Sequence, residues 1–284
     1  MGPTHAARET KPTDIVAALA DGPAFRLPVH ALTPEGFRRW VASGNCPPDV
    51  RLSHYGDGIE VEMEEAGVSF RIPSSAATLE GFREWIGRDD SPDCRHISFL
   101  DPEILIDMTG EELETHVKLK GAVSAALFQL VENLDIGEFL ADGVGFANVS
   151  AGLSNAPDAS FLKWETTECG RVRLVPRKGV EGQFTEIEGT PDWVMEVVSR
   201  GSVGKDTRDL RTRYRRAGIP EYWLIDARGA DIDFQVLVLR GNRYAAVRPR
   251  DGWYASPIFG HAFRLERRHN RAGRWQYKLH HRPV

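Results

Sequence analysis

Three side chains in the sequence have the chemical types that hydrolysis of a phosphodiester bond requires. Asp158 precedes an apolar run, and Glu196 lies inside the apolar, β-prone stretch 193–198. Lys205 follows a loop that contains two glycines. Two carboxylates can hold a divalent cation such as Mg²⁺ through hard oxygen ligands, and a nearby ammonium group supplies positive charge for the attacking hydroxide or the scissile phosphate. The three residues therefore predict a metal-dependent site that cleaves phosphodiesters.

Glu196 needs a positive partner, because an ionised carboxylate in a buried strand is costly unless it is paired or holds a metal ion. Side chains alternate between the two faces of a strand, so Asp192 and position 198 share the face of Glu196. In the E-x-K pattern of nucleases position 198 would be lysine, but here it is valine. We therefore interpret Lys205 as the cation of the site and Asp192 as an accessory acid.

Each of these residues also has a structural alternative. An aspartate directly after proline, as at 158 and 192, is often only a turn residue. A lysine at the start of a helix is typical of a solvated surface, and taken alone Lys205 would be interpreted in that way. The order of the elements favours function, since a strand with a carboxylate is followed by the strand of Glu196 and then by a lysine.

The segment 191–226 predicts a strand, a loop, a helix and a second strand. Asp206 is the predicted N-cap of the helix, and Gly218 with Pro220 ends it. Residues 221–226 form the second apolar strand. A unit of this kind implies a sheet whose faces are covered by helices.

Further elements are predicted on either side of Asp158. A long amphipathic helix runs from 111 to about 134, and His116 near its start is an accessory candidate, with an ordinary surface or capping histidine as the alternative. Residues 137–149 predict one strand, and residues 170–176 and 183–188 predict a hairpin. A terminal meander and a basic, partly structured tail complete the chain.

An internal repeat precedes these elements. FRLPVHALTPEGFRRW (25–40) returns 45 residues later as FRIPSSAATLEGFREW (70–85). Each copy predicts a helix capped by Thr33 or Thr78 and followed by two strands, 50–55 with 59–63 in the first copy and 95–100 with 104–108 in the second. A duplicated recognition or dimerisation module and a purely structural extension of the sheet both fit this pattern.

The composition limits the class of protein. The chain has 284 residues, 41% hydrophobic and 27% charged, which is typical of a globular protein. It contains no apolar run that could cross a membrane and no apolar signal core, and its three cysteines are far apart, so we expect a cytoplasmic protein with reduced thiols.

The net charge of −5 means that contact with DNA requires a local basic patch. Arg208, Arg211 and Arg215 on the predicted helix are the candidates for contacts with backbone phosphates. A solvated helix face with ion pairs to Asp206 and Asp209 is the alternative interpretation.

Several segments together resemble the Uma-two family of restriction-endonuclease-like proteins in the PD-(D/E)XK superfamily. They are EGTPDWVMEVVS (188–199), KD (205–206) and YRRAGIPEYWLID (214–226). PDASF (157–161) resembles the first acidic strand of that family, and EELETH (111–116) resembles its early helix. The resemblance extends over about residues 95 to 250, and it implies a mixed sheet flanked by helices, magnesium-dependent cleavage of DNA, and metal ligands at Asp158 and Glu196.

We therefore expect an α/β (α+β) protein with a restriction-endonuclease-like mixed central sheet flanked by helices in residues 109–284. A weakly ordered tail (1–20) and a duplicated helix-plus-strands extension (21–108) precede it. The expected activity is that of a homodimeric DNA endonuclease that depends on Mg²⁺ or Mn²⁺, since enzymes that cut both strands often pair as two-fold dimers. The alternatives are a catalytically inactive nucleic-acid-binding or protein-interaction module on the same scaffold, and a metal-dependent hydrolase of a small phosphoester.

Overall fold

The computed structural model of the chain describes residues 24–63, 68–88, 91–92, 97–142, 144–177 and 180–284. The predicted tail 1–20 lies outside the described residues, as does Cys94, one of the three cysteines. Within the described part of the chain, no helix has both the length and the apolar character needed to cross a membrane.

Short helices lie between groups of consecutive strands along the described chain. The helices are α1 (Pro34–Ala42), α2 (Leu79–Ile86), α3 (Lys118–Leu134), α4 (Trp164–Glu168) and α5 (Arg211–Arg216). The strands are β1 (Ala24–Pro28), β2 (Arg51–Tyr55), β3 (Gly58–Met63), β4 (Val68–Pro73), β5 (Ile97–Leu100), β6 (Glu103–Asp107), β7 (Gly137–Ala141), β8 (Gly145–Asn148), β9 (Leu153–Asn155), β10 (Ala159–Lys163), β11 (Val172–Pro176), β12 (Phe184–Gly189), β13 (Trp193–Val197), β14 (Glu221–Asp226), β15 (Asp233–Arg240), β16 (Arg243–Ala246), β17 (Tyr254–Ser256), β18 (His261–His269) and β19 (Trp275–Pro283).

A six-stranded sheet in the order β16-β15-β14-β13-β10-β7 forms the centre of the molecule. Strands β13 and β14 are parallel and the other pairs are antiparallel, so the sheet is mixed. The face with Trp193 and Met195 packs in one apolar cluster with α3, whereas Val194 packs on the other face with Tyr214 of α5. The predicted mixed sheet flanked by helices, including the strand-helix-strand unit of 191–226, is therefore confirmed.

The predicted N-cap role of Asp206 is wrong. The chain is already helical at residue 203, and a π-helical turn, Lys205–Leu210, leads into α5. The loop before it is closed by Ser199 and Ser202, whose backbone N–H groups donate to each other's hydroxyls at 2.9 and 3.1 Å. Because the helix starts earlier, Asp206 lies inside it with a buried side chain. π-helical turns occur frequently at functional sites.

A second sheet joins the repeat to the rest of the chain. Its order is β1-β6-β5-β9-β8-β12-β11, so strands on both sides of residue 108 share hydrogen bonds. The hairpin predicted from 170–176 and 183–188 is confirmed as β11 with β12. The single strand predicted over 137–149 is wrong, because β7 joins the six-stranded sheet and β8 joins this one. The sequence carries the turn-forming pair Asp-Gly at 142–143 between them.

The two copies of the repeat exchange their first strands. Strand β1 of the first copy pairs with β6 of the second copy, and β4 of the second copy pairs with β3 of the first. The predicted caps are confirmed, since the N–H groups of Gly36 and Gly81 donate to the hydroxyls of Thr33 and Thr78, both at 3.1 Å. Both copies contribute to one apolar cluster, which includes Trp40 and Trp85. The repeat is thus an interlocked pair and not two separate units.

Candidate active site

Asp158 directly precedes β10 and lies against the end of β13. Its Oδ2 accepts a hydrogen bond of 2.6 Å from the backbone N–H of Val197, and the residue is 8% exposed. The backbone therefore fixes the direction of the carboxylate. It faces a narrow pocket of about 30 Å³, lined by Asp107, Thr109, Gly110, Glu111, His116, Asp142, Ala156, Asp158, Val197, Ser199, Ser202, Lys205 and Asp206.

Lys205 enters this pocket from the π-helical turn. Its Nζ lies 3.6 Å from Oδ1 of Asp206. Burial alone would lower the pKa of Lys205, but the charges of Asp206, Glu196 and Asp158 outweigh it and raise the pKa above the ordinary lysine value. The ammonium is therefore a permanent positive charge at the pocket. Burial also raises the pKa of Asp206 to about 6, although Lys205 and the hydroxyl of Ser202 act in the opposite direction.

Glu196 lies next to the pocket, but it is not among the described residues that line it. Its Oε1 accepts hydrogen bonds from the hydroxyl of Tyr214 and, at 3.2 Å, from Nδ2 of Asn155. Burial, together with Asp206 and Asp158, raises its pKa well above the ordinary value, against the opposing effect of Lys205 and Tyr214. The role of Glu196 as a metal ligand is still a prediction, and the charge of Lys205 acts on its pKa.

His116 provides a second set of donors at the pocket. Its Nε2 lies 3.6 Å from Oδ2 of Asp158, and its Nδ1 lies 3.7 Å from Oε2 of Glu111. One ligand atom from each of Glu111, His116 and Asp158 lies within 4.8 Å of the others, which is a spacing that one metal ion can bridge. The carboxylates outweigh burial and raise the pKa of His116, while His116, ahead of Lys120, holds the pKa of Glu111 at about 2.

Lys120 is a positively charged partner for the carboxylates of Glu111 and Asp158, which are also candidate metal ligands. Its Nζ lies 2.6 Å from Glu111, 3.1 Å from Asp142 and 3.5 Å from Asp158. These charges outweigh the burial that would lower the pKa of Lys120, so its pKa is raised. The carboxylates of Glu111, Asp142 and Asp158, which line the pocket, thus surround the ammonium of Lys120.

The donor set fits a divalent cation. Carboxylate oxygens are the ligands that Mg²⁺ prefers, and a neutral imidazole is a ligand for metals such as Mn²⁺. Two buried atoms at the pocket, Nδ1 of His116 and Oδ1 of Asp206, have no hydrogen-bond partner within the described residues. Such atoms are costly to bury unless a ligand, ion or water completes them.

The structure brings together some of the predicted residues and separates others. Asp158, Lys205 and His116 line the pocket, whereas Glu196 does not line it but is influenced by the charges of Lys205, Asp206 and Asp158. Asp192 lies elsewhere: its Oδ2 accepts a bond of 2.9 Å from the N–H of Lys163, and its Oδ1 lies 3.4 Å from Arg171.

The three arginines predicted to contact DNA do not line the pocket either. Arg208 pairs with Asp209 at 3.0 Å and its side chain is 76% exposed. Arg215 donates to the side-chain oxygen of Asn242. Arg211 is half-buried at the start of α5. Binding of DNA by these residues is still a prediction.

Sequence reasoning missed Glu111, Lys120 and Asp206 as parts of the site. A signal for Lys120 existed, because it lies four residues after His116 and three before Val123, on the buried stripe of α3. A lysine on an apolar helix stripe requires a negative partner. The sequence pattern instead predicts Asp206 as the helix cap, and it indicates Glu111 only as part of the segment 111–116.

Comparisons with known proteins identify the family of this chain. Residues 79–266 match the model of the Uma2 family, whose description is "putative restriction endonuclease". This match begins earlier and ends later than the resemblance predicted from sequence, and it includes the second copy of the repeat from residue 79 onward. No curated protein matches the sequence.

One solved structure that is similar to this chain is the crystal structure of a putative nuclease from Anabaena variabilis. It is 16% identical, has a TM-score of 0.45, and the alignment covers 64% of this chain and 90% of that chain. The family match contains every residue that lines the pocket. Because this match extends over more than half of its residues, the chain belongs to the Uma2 family of putative restriction endonucleases.

Proposed function

We propose that this chain is a DNA endonuclease that hydrolyses phosphodiester bonds with a divalent cation, Mg²⁺ or Mn²⁺. The observation that carries the proposal is the convergence of Asp158, His116 and Lys205, from three separate segments, on one pocket. Carboxylates, an imidazole and a permanent ammonium group are the groups that this reaction uses. Family membership supports DNA as the substrate.

Each residue has a role that follows from its position. Asp158, Glu111 and His116 would hold the cation, which when bound supplies positive charge at the phosphate and lowers the pKa of a water molecule. Lys205 offers its ammonium to the negative charge that develops on the phosphate or to the attacking water. Glu196 and Asp206 keep Lys205 protonated and in position.

The test is cleavage of supercoiled plasmid DNA with Mg²⁺ or Mn²⁺, compared with the same reaction in EDTA. Asp158→Asn removes the charge but retains an oxygen that accepts the N–H of Val197, so the fold is expected to survive. We expect it to lower the rate at least about 100-fold. Asp231→Asn, an equal change at an exposed position, is the matched control and should cut like the wild type. Equal cleavage by Asp158→Asn and wild type would show that the site is wrong.

An inactive binding module is the second candidate, and one observation favours it. The ammonium of Lys120 already lies between the carboxylates of Glu111, Asp142 and Asp158, so each of them has a positive partner without a metal ion. Calorimetric titration with Mn²⁺ separates the two candidates. Binding that is lost in Asp158→Asn supports the endonuclease, whereas DNA binding without bound metal and without cleavage supports the inactive module.

We also propose a homodimer, because cleavage of both DNA strands requires two sites and nucleases often supply them by two-fold pairing. Sedimentation analysis at several protein concentrations tests this directly. A monomer that only nicks plasmid DNA would contradict the dimer while leaving the catalytic proposal intact.

A further inference from the structure

The C-terminal hairpin, formed by β18, β19 and the turn between them, concentrates positive charge outside the candidate active site. Residues 261–284 contain six arginines and one lysine but only one glutamate, although the whole chain has a net charge of −5. The strands pair from His261↔Pro283 to His269↔Trp275. The family match ends at residue 266, so most of this hairpin lies beyond it.

Some of these cations serve the fold. Arg267 donates to the carbonyl of Ala227 at 2.8 Å and its guanidinium lies 4.2 Å from the ring centre of Trp275. Arg264 pairs with Glu266 at 2.7 Å. Three others, at the turn end of the hairpin, have guanidinium groups without an ion pair or hydrogen bond to any described residue: Arg268, Arg271 and Arg274.

A groove of about 790 Å³ lies between this end of the hairpin and the first turns of α3. Arg268 and Arg271 line one wall, and Lys118, Gly121 and Ala122 line the other. A Cβ atom added at Gly121 would have no neighbour within 4 Å, so the helix wall is open above this residue. The groove therefore combines space with positive charge on the hairpin wall, whereas Lys118 on the helix wall is ion-paired with Glu114.

The groove is held close to the candidate active site. The backbone N–H of Trp275 donates to Oε2 of Glu114 at 2.7 Å, and Glu114 also accepts from Lys118. Glu114 belongs to the turn Leu113–Val117, whose His116 enters the pocket. The groove and the pocket thus lie on different sides of one helical segment, and a helix is about 10 to 12 Å wide. Duplex DNA carries one charge for about every 1.7 Å of its axis, so a duplex only a few base pairs long places phosphates at both the groove and the pocket.

We infer that this groove binds the phosphate backbone of a nucleic acid and holds the flank of a DNA whose scissile phosphate lies in the pocket. The identity of the nucleic acid as DNA rests on the proposed function, whereas the groove itself requires only phosphates. Arginine suits this task, since its planar fork donates two parallel hydrogen bonds to a phosphate. Contacts of this kind position the duplex without reading its sequence.

The experiment measures binding of a short fluorescent DNA duplex by anisotropy in EDTA, where cleavage does not occur. A triple variant carries Arg268→Ala, Arg271→Ala and Arg274→Ala. We expect it to bind about tenfold more weakly at low salt, and the slope of log affinity against log salt should fall by about 0.9 for each phosphate that the variant no longer neutralises. The matched control removes three exposed arginines from the repeat: Arg38, Arg39 and Arg88.

Equal weakening by the control variant, or an unchanged slope in the hairpin variant, would overturn the inference, because affinity would then depend only on overall charge. Circular dichroism and the melting temperature show whether the hairpin variant is folded. If it is unfolded, charge reversal at Arg271 alone replaces it, since this exposed turn residue has no role in packing. The three hairpin substitutions should weaken binding by the same factor in the wild-type and Asp158→Asn backgrounds, so a failure of the catalytic proposal is distinguishable from a failure of the groove.

Discussion

Glu196 and Glu221 are buried carboxylates on neighbouring parallel strands, β13 and β14, but their surroundings differ. They are 3% and 0% exposed, respectively. In the sequence they look alike, since each is an acidic residue in an apolar stretch with β propensity. Only Glu196 was interpreted as functional, so the difference between them tests what a buried acid signifies.

Glu221 is stabilised by hydrogen bonds. Its Oε1 accepts bonds of 2.6 Å from Nε1 of Trp223 and from the hydroxyl of Ser256. It forms no ion pair with a described residue, and burial raises its pKa to about 7, against the effect of Ser256 and Trp223. Glu221 thus links β17 to β14 as an acid that is largely neutral at acidic pH.

Glu196 instead belongs to a network of charges beside a pocket. Its pKa depends on Lys205, Asp206 and Asp158 in addition to burial. The comparison teaches that burial of a carboxylate does not by itself identify a site. A buried cation and an adjoining cavity are the features that distinguish Glu196, and they are the features expected of functional groups with perturbed pKa values.

Removal of the ammonium of Lys205 should give the largest effect. Lys205→Met leaves Glu196 and Asp206 buried without this cation, and breaking a buried pair in this way costs about 3 to 5 kcal/mol of the free energy of unfolding. Lys163→Met removes the lysine that acts on Glu221 at longer range, and it should cost less than about 1 kcal/mol. Urea unfolding at neutral pH measures both. Equal losses would contradict the distinction between the two glutamates.

Cleavage should separate the same two glutamates. Glu196→Gln is expected to lower the rate of plasmid cleavage about 100-fold, because it alters the charge that keeps Lys205 in position. Glu221→Gln keeps an oxygen that accepts from Ser256 and Trp223 and should change the rate less than about twofold. A loss of activity in Glu221→Gln with the fold intact would mean that the sheet, and not the charge network, controls the rate.

Sequence reasoning succeeded where the signal is local. The hydroxyls of Thr33 and Thr78 accept the N–H of the residue three positions later. That residue must be glycine, because a Cβ at Gly36 or Gly81 would lie 1.8 or 1.9 Å from a backbone oxygen. The strand-helix-strand unit of 191–226 likewise follows from apolar runs separated by glycine and proline. The order of the elements also connected Asp158 with the later strand of Glu196, and the family resemblance added the expectation that both are metal ligands.

The rest depends on contacts between distant residues. The exchange of β1 and β4 between the two copies leaves no trace in the repeat itself, because either pairing buries the same apolar faces. The approach of Asn155 to Glu196 joins two different sheets. The sequence does not show which of the two glutamates belongs to a site. Ser256, which donates to Glu221, lies far from it along the chain, and Lys205, whose charge acts on Glu196, lies beyond a loop.

The pH dependence of stability should identify Glu221. Its pKa is about 7 in the folded chain and 4.5 as the ordinary value. Below the ordinary value the acid is neutral in both states, and as pH rises toward 7 the unfolded chain ionises first, so stability falls by at most about 3 kcal/mol. Asp206 also has a raised pKa and lowers stability in the same direction as pH rises. Glu221→Gln removes only the contribution of Glu221 to this pH dependence. The free energy of unfolding, measured at several pH values between 4.5 and 7, should therefore depend less on pH in Glu221→Gln than in the wild type. An equal dependence on pH in both proteins would contradict the assignment.

The smallest expected effects come from removing one hydrogen-bond donor from each glutamate. Tyr214→Phe removes the hydroxyl that donates to Glu196, and Ser256→Ala removes a donor to Glu221. Each acid retains a second donor, Asn155 or Trp223, so each change should cost about 1 kcal/mol of the free energy of unfolding. Only Tyr214→Phe should also slow cleavage, by about fivefold, because a change in Glu196 reaches Lys205. If both variants lose the same stability and the same activity, the loss of activity follows from stability alone, and the charge network around Glu196 has no separate role.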